Sequence, residues 1–285
     1  MHAPFSGTEW QEPGEPMSRG PAVAGMFYPG DAETLRTDLE RLTGGRRPPP
    51  APRGLALVVP HAGYIYSGAV AAATYLSVAL SRRVILLGPN HTGRGEPVAL
   101  MHRGAWRTPL GEVALDDGLA EGVLTRCAAA TIDEMAHRKE HSLEVQIPFL
   151  QHLLGDLRLL PICIGTMQLA LLLELGRAIA GAVREADEDV LLVLSSDMSH
   201  YLPAAVAKGE DEKALAPILA LDAGRLHRVV VEGGITMCGV APVVAGLEAA
   251  RCLGARESRL VAYDHSGTRS GDHDSVVGYA GVAVT

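Results

Sequence analysis

Residues Leu55–Gly68, LALVVPHAGYIYSG, form an apolar run that stops at Pro60 and is followed by His61, Gly63, Tyr64 and Tyr66. A Val- and Leu-rich run of this length, closed by Pro and Gly, reads as a buried strand delivering polar side chains at its carboxyl end. His61 is thereby expected on a rim. The same grammar recurs in Arg83–Gly93, RVILLGPNHTG, where His91 follows the strand, and in Asp189–Tyr201, DVLLVLSSDMSHY, where Ser195, Ser196, Asp197 and His200 follow Leu194. In open α/β sheets ligands sit in the crevice outside the carboxyl ends of the strands, so His61, His91 and His200 are expected to converge.

The regular alternation of strands and helices predicts a single three-layer α/β/α domain with a mixed, mostly parallel central sheet, and 285 residues at 47 % hydrophobic content suffice for one large core. The net charge of −8 and the scarcity of lysine, which occurs only at positions 139, 208 and 213, argue against a nucleic-acid partner. Cys127, Cys163, Cys238 and Cys252 show no CxxC spacing and no apolar signal region precedes them, which indicates free thiols and a cytoplasmic location. The longest apolar stretches, Leu169–Ala182 and Ala241–Ala250, are broken by charge or short, so they read as buried helices and not membrane spans.

Residues 1–18 carry Pro, Gly and Glu without periodicity and read as a disordered tail, leaving 19–285 as the folded domain. Helical spacing is predicted over Ala32–Leu42 with Asp31 as its cap, and over Gly68–Leu80, Asp116–Cys127, Lys139–Leu154, Gln168–Glu185, Pro203–Leu219, Asp222–Glu232 and Val240–Leu253. Pro148 either kinks its helix or marks its first turn. Pro97–Leu115 reads as a hairpin excursion, Leu157–Ile164 as a strand, and Leu260–Tyr263 and Val276–Val284 as two closing antiparallel strands.

His61 and His91, presented after strands in Gly- and Pro-shaped loops, are candidate metal ligands. Cys238 in ITMCGV is a third, since the start of a helix near Val240 favours a thiolate; its plainer reading is a small buried apolar residue, as for the other three cysteines. A rival site lies in HRKEHSLEVQ, where His137, Glu140 and His141 have the HxxEH order of inverted zinc peptidases, or else form the polar stripe of an amphipathic helix together with Glu144. Asp197 and His200 form a carboxylate–imidazole pair, with His200 as general acid–base group or as a residue that orients a metal ligand, or else Asp197 or Ser199 simply caps the next helix. GxSxG, P-loop and GxGxxG motifs are absent, and His265 and His273 read as solvated turn residues.

Taken together, RGPAVAGMFYP, PHAGYIYSG, GPNHTG, EHSLEVQIPFL, SSDMSHY, ITMCG and SVVGYAGVAV resemble, in colinear order from Arg19 to the C-terminus, the Memo family, known in prokaryotes as AmmeMemoRadiSam system protein B. The resemblance implies the fold of class III extradiol dioxygenases, which are non-haem iron enzymes. It implies metal-binding positions at His61, His91 and Cys238, accompanying site residues at Asp197 and His200, and Glu140 and His141 close by. A thiolate replaces the carboxylate of the dioxygenase scheme, which lowers the Lewis acidity of iron and admits copper or zinc. The expected function is a metal-dependent oxidoreductase acting on an unknown small molecule. The alternatives are a non-catalytic module that binds a metal or a peptide in a pocket walled by Tyr64 and Tyr66, and a zinc hydrolase built on the HxxEH stretch. The gene-system name implies a functional association with a radical-SAM protein and an AMMECR1-like protein.

Overall fold

The computed structural model describes residues 18–285, so the predicted tail, apart from Ser18, lies outside the described residues. In chain order the elements are β1 Ser18–Arg19, α1 Ala32–Thr43, β2 Ala56–Val59, α2 Tyr64–Tyr75, β3 Arg83–Pro89, β4 Val98–Leu100, β5 Ala105–Thr108, β6 Gly111–Leu115, α3 Asp117–Leu124, β7 Thr131–Ile132, α4 Ile147–Leu154 and β8 Arg158–Ile164. They continue with α5 Leu169–Arg184, β9 Val190–Ser195, β10 His200–Leu202, α6 Ala204–Leu219, α7 Ala223–Gly233, α8 Val240–Cys252, β11 Ser258–His265, α9 Gly267–Ser270 and β12 Val276–Val284.

The main path of the sheet runs β1-β5-β6-β8-β3-β9-β2-β12-β10. Its centre, β8-β3-β9-β2, is parallel, and β12 closes it antiparallel to β2, β10 and β11. Side chains alternate across a strand, and here both faces are covered. Val58, Ile85, Leu87, Leu192 and Leu194 join one core with residues of α3, α5, α6, α7 and α8. Leu57, Val59, Leu86, Leu191 and Val193 join a second core with residues of α1, α2 and α4. This explains the unbroken apolar runs and yields the predicted three-layer, mostly parallel arrangement. Among the described residues, no helix is long and apolar enough to cross a membrane.

Two predicted helices change. The Ala-rich helix starts at Tyr64, four residues early, because Gly63 turns the chain directly out of the His61 loop and the Tyr64 N–H donates to the Phe27 carbonyl at 2.8 Å. The helix expected over Lys139–Leu154 exists only as α4, with Pro148 in its first turn. Proline is tolerated there because that N–H has no helical partner in any case. Upstream of it the chain is a series of turns and one short 3-10 segment, Glu144–Gln146.

Candidate metal centre

β3, β9 and β2 are neighbours in register, Leu87 beside Leu194 and Val59 beside Ser195. Adjacent strands lie about 4.8 Å apart, so the loops that follow them are brought side by side. The His61 and His91 rings lie 5.2 Å apart between centroids. Cys238 arrives from the turn between α7 and α8, with its Sγ 3.2 Å from His61 Nε2. One donor atom each from His61, His91 and Cys238 falls within 4.8 Å of the others.

That turn is driven against β9 by Gly239. A Cβ there would stand 2.3 Å from Ser196 Cβ and 2.5 Å from the Ser195 carbonyl, so only glycine allows the approach. The Gly239 N–H donates to Ser196 Oγ at 3.1 Å, and the Asp197 N–H to Cys238 Sγ at 3.3 Å.

The hydrogen bonds around both imidazoles fix their tautomers. Ser195 Oγ donates its one proton to the Ser142 carbonyl at 2.6 Å and accepts from Gln146 Nε2 at 2.9 Å. Its contact with His61 Nδ1 at 2.9 Å is therefore one in which the ring donates, which leaves Nε2 with its lone pair toward Cys238. His91 donates from its backbone N–H to Glu140 Oε2 at 2.6 Å and from Nδ1–H to Oε1 at 2.9 Å, again leaving Nε2 unprotonated. Rings held this way are the usual form of histidines that bind metals.

Burial opposes ionisation of the Glu140 carboxyl, but the hydrogen bond from His91 and the backbone N–H groups of Ser142 and His141 overcome it and hold it down at about 2. Burial, then the crowding of His91, His141 and His200, which opposes adding positive charge among these imidazoles, pulls His61 well below the ordinary imidazole range. Burial pushes the Cys238 thiol up, the Asp197 carboxylate adds to that, and the Asp197 N–H only partly offsets it. The helix-start argument for a ready thiolate is thus overturned by desolvation: a metal must displace this proton.

Asp197 caps no helix. Its Oδ1 accepts the His61 N–H at 2.7 Å, and burial raises its carboxyl to about 6. His200 is pinned at both ends by Thr236, its N–H to Thr236 Oγ1 at 2.7 Å and its Nδ1 to the Thr236 carbonyl at 2.9 Å. A carbonyl only accepts, so His200 also carries its proton on Nδ1 and keeps Nε2 as an acceptor. His141 stacks on His91 with centroids 4.5 Å apart and meets the Phe27 ring at 4.8 Å. His61, His91, His141, Asp197, His200 and Cys238 all line one cleft of about 510 Å³, whose other walls include Phe27, Tyr201, Val277 and Tyr279.

Several expectations fail here. His61 is buried at the floor of the cleft and not on a rim; His91 is the more exposed of the pair. His137 does not join Glu140 and His141, because the stretch is not helical: its ring is buried edge-on to Trp106 at 5.6 Å and its Nε2 donates to the Ala99 carbonyl at 3.1 Å. Glu140 and His141 instead group with His91. Tyr64 does not wall the cleft; it is buried with its hydroxyl on the Val145 carbonyl at 2.7 Å, and Tyr66 stands in the first turns of α2 outside the lining. His273 is exposed as expected, but His265 is half-buried in β11 against it. Ser195, Gln146 and Thr236, which set ring tautomers, went unread, since uncharged residues carry no local signal of such a role.

A family model described as Memo-like protein matches residues 19–283. A MEMO1 family protein of Aquifex aeolicus is 43 % identical over 265 residues, covering 93 % of this chain and 98 % of that one. MEMO1 family proteins of Methanopyrus kandleri and Methanothermobacter thermautotrophicus are 42 % and 40 % identical, each over 93 % of this chain and 98 % and 99 % of their own. A solved structure of an uncharacterized Escherichia coli K12 protein aligns at 15 % identity and a TM-score of 0.49 over 82 % of this chain and 100 % of that one, too loose a likeness to inform the site. With its colinear motifs and a match over nearly the whole described chain, the protein belongs to the Memo-like family.

Proposed function

We propose that this chain is a metal-dependent oxidoreductase in which His61, His91 and Cys238 hold a non-haem metal, iron first with copper or zinc as alternatives, beside a small-molecule cleft. The observation that carries the reading is the meeting of three donors from three separate loops within 4.8 Å. The donor set fits such a group: two imidazoles whose Nδ1–H is already committed elsewhere, and one thiol at a glycine-tightened turn. When bound, the metal supplies Lewis acidity and, if iron or copper, electron transfer to and from oxygen.

The chain's own groups divide the remaining work. Glu140 orients His91, and Ser195 with Gln146 orients His61. Asp197 holds the backbone of His61 and, through its own N–H, the sulfur of Cys238. His200, fixed by Thr236, offers Nε2 to take a proton from a substrate hydroxyl in the cleft and to return it later. His141 packs on His91 at the wall and shields that ring from water on one face.

Anaerobic Fe(II) titration of wild type and Cys238→Ala tests the site, and oxygen uptake with a panel of vicinal diols in wild type and His200→Ala tests turnover. Weaker Fe(II) binding in Cys238→Ala and oxygen uptake that His200→Ala suppresses are the expected results. Equal metal affinity in the two proteins overturns the ligand set. Metal binding with no oxygen uptake on any diol moves the protein to a binding module.

A further inference from the structure

Two residues other than glycine hold a positive φ, Leu221 at 55° and Tyr201 at 60°. Side chains rarely adopt this region unless something compensates the strain. For Leu221 the compensation is visible, since the side chain is half-buried against the larger core. Tyr201 has none. Its side chain is 76 % exposed, and its hydroxyl makes no hydrogen bond among the described residues. A glycine would take this backbone at no steric cost.

The strain comes from the pairing of β10 with β12. His200 stands opposite Val277 and Leu202 opposite Val276, so Tyr201 is an extra residue inserted in the ladder, a β-bulge. Both its neighbours are committed. His200 is bound to Thr236 through its backbone and its ring, and Leu202 returns to the ladder. The bulge thus places the Tyr201 ring at the mouth of the cleft, 5.7 Å between centroids from the His200 ring and tilted 67° to it. An aromatic ring kept in water, on a backbone that disfavours it, beside a proton acceptor, has contacts to gain only from what enters the cleft.

We propose that Tyr201 is a positioning and specificity residue: it stacks on a planar ring of the molecule bound at the metal centre, so that the cleft selects ring-bearing ligands over open-chain ones with the same metal-binding groups. This assignment rests on the metal reading given above. The group of His61, His91 and Cys238 is complete without Tyr201, so its loss should leave metal uptake intact.

The test uses the Zn(II)-loaded protein, which is redox-silent, and two chelators that each present two oxygens: tropolone, a planar aromatic ring, and acetohydroxamate, which has none. Wild type, Tyr201→Gly and Tyr201→Phe are compared by calorimetry, with retained zinc and melting temperature measured on each. Expected in Tyr201→Gly are a roughly tenfold weaker tropolone Kd, unchanged acetohydroxamate binding, unchanged zinc and a melting temperature no lower than wild type, while Tyr201→Phe keeps tropolone affinity within about twofold. Equal tropolone affinity in wild type and Tyr201→Gly, with both chelators bound, overturns the role of Tyr201 and leaves the metal reading standing. A lower melting temperature with both chelators weakened alike overturns it in favour of a structural role. Wild type that retains no zinc, or binds neither chelator, overturns the metal reading and this assignment with it.

Discussion

Removing the Glu144 carboxylate disturbs the site from a distance. Glu144 is wholly buried and accepts from Arg19 Nη1 at 2.7 Å, from the backbone N–H groups of Ala22 and Val23 at 2.7 and 3.0 Å, and from the Tyr28 hydroxyl at 2.7 Å. Arg19 in turn donates to the carbonyls of His137 and Glu140, both at 2.7 Å, and lies 4.1 Å over the Trp106 ring. Glu144→Ala leaves these donors and one guanidinium without their acceptor in a dry interior. Breaking a buried pair from one side costs about 3–5 kcal/mol, a large share of the roughly 5–15 kcal/mol of a whole domain. Urea titration should show the unfolding free energy falling by that amount, through a lower midpoint at constant slope. Lys213→Ala, which frees a solvent-facing pair with Glu210, should cost less than about 1 kcal/mol. The Arg19 bond also steadies the backbone of Glu140, whose carboxylate orients His91, so Fe(II) affinity should fall together with stability. A Glu144→Ala loss no greater than that of Lys213→Ala would refute the view that this network holds the Glu140 segment in place.

The other predictions concern the site and the protonation of the fold. Ser195→Ala removes the acceptor of His61 Nδ1–H and should weaken metal binding by about 10- to 100-fold, read by competition with a chromogenic chelator. Gly239→Ala forces the Cys238 turn off Ser196 and should cost about 1–3 kcal/mol along with metal affinity; an unchanged melting temperature counts against the close approach. Because burial keeps the Cys238 thiol protonated, metal uptake at neutral pH should release about one proton more in wild type than in Cys238→Ala, measured in a weakly buffered dye solution. His137 is pulled by burial to about 4, below the ordinary value of 6.5, so the unfolded chain protonates first and stability is lost as pH falls between them. From pH 7 to 4.5 this group alone removes roughly 2–3 kcal/mol, and His137→Gln, which keeps a donor for the Ala99 carbonyl, should flatten the loss by that amount.

The strands and their histidine loops were legible because a parallel strand covered on both faces must be apolar at every position, and the run ends where the loop begins. Convergence of His61 and His91 followed from the carboxyl-end rule, yet the rule does not say that β9 lies between β3 and β2, which is what draws Asp197 in beside them. The stretch before Pro148 reads as helix in the sequence because Leu143, Ile147, Leu150 and Leu154 keep helical spacing. In the fold the part upstream of Ile147 is held by Arg19, 118 to 121 residues away in sequence, and local periodicity cannot report that. The state of Cys238 escapes the sequence for a similar reason: the helix start is local and visible, whereas the burial that outweighs it is made by distant segments. Tyr201 stood in view within SSDMSHY, but a bulge is a property of two paired strands and exists only once β10 meets β12.

X-ray absorption at the metal edge of anaerobically Fe(II)-loaded protein, with Zn(II)-loaded protein in parallel, reads the ligand set of the centre itself. One sulfur neighbour is expected, at about 2.3 Å for zinc, and imidazole nitrogens at about 2.0–2.1 Å, with the sulfur lost in Cys238→Ala and both signals kept in His137→Ala. A spectrum without sulfur, or one in which Cys238→Ala leaves the sulfur in place, would contradict a centre built from His61, His91 and Cys238.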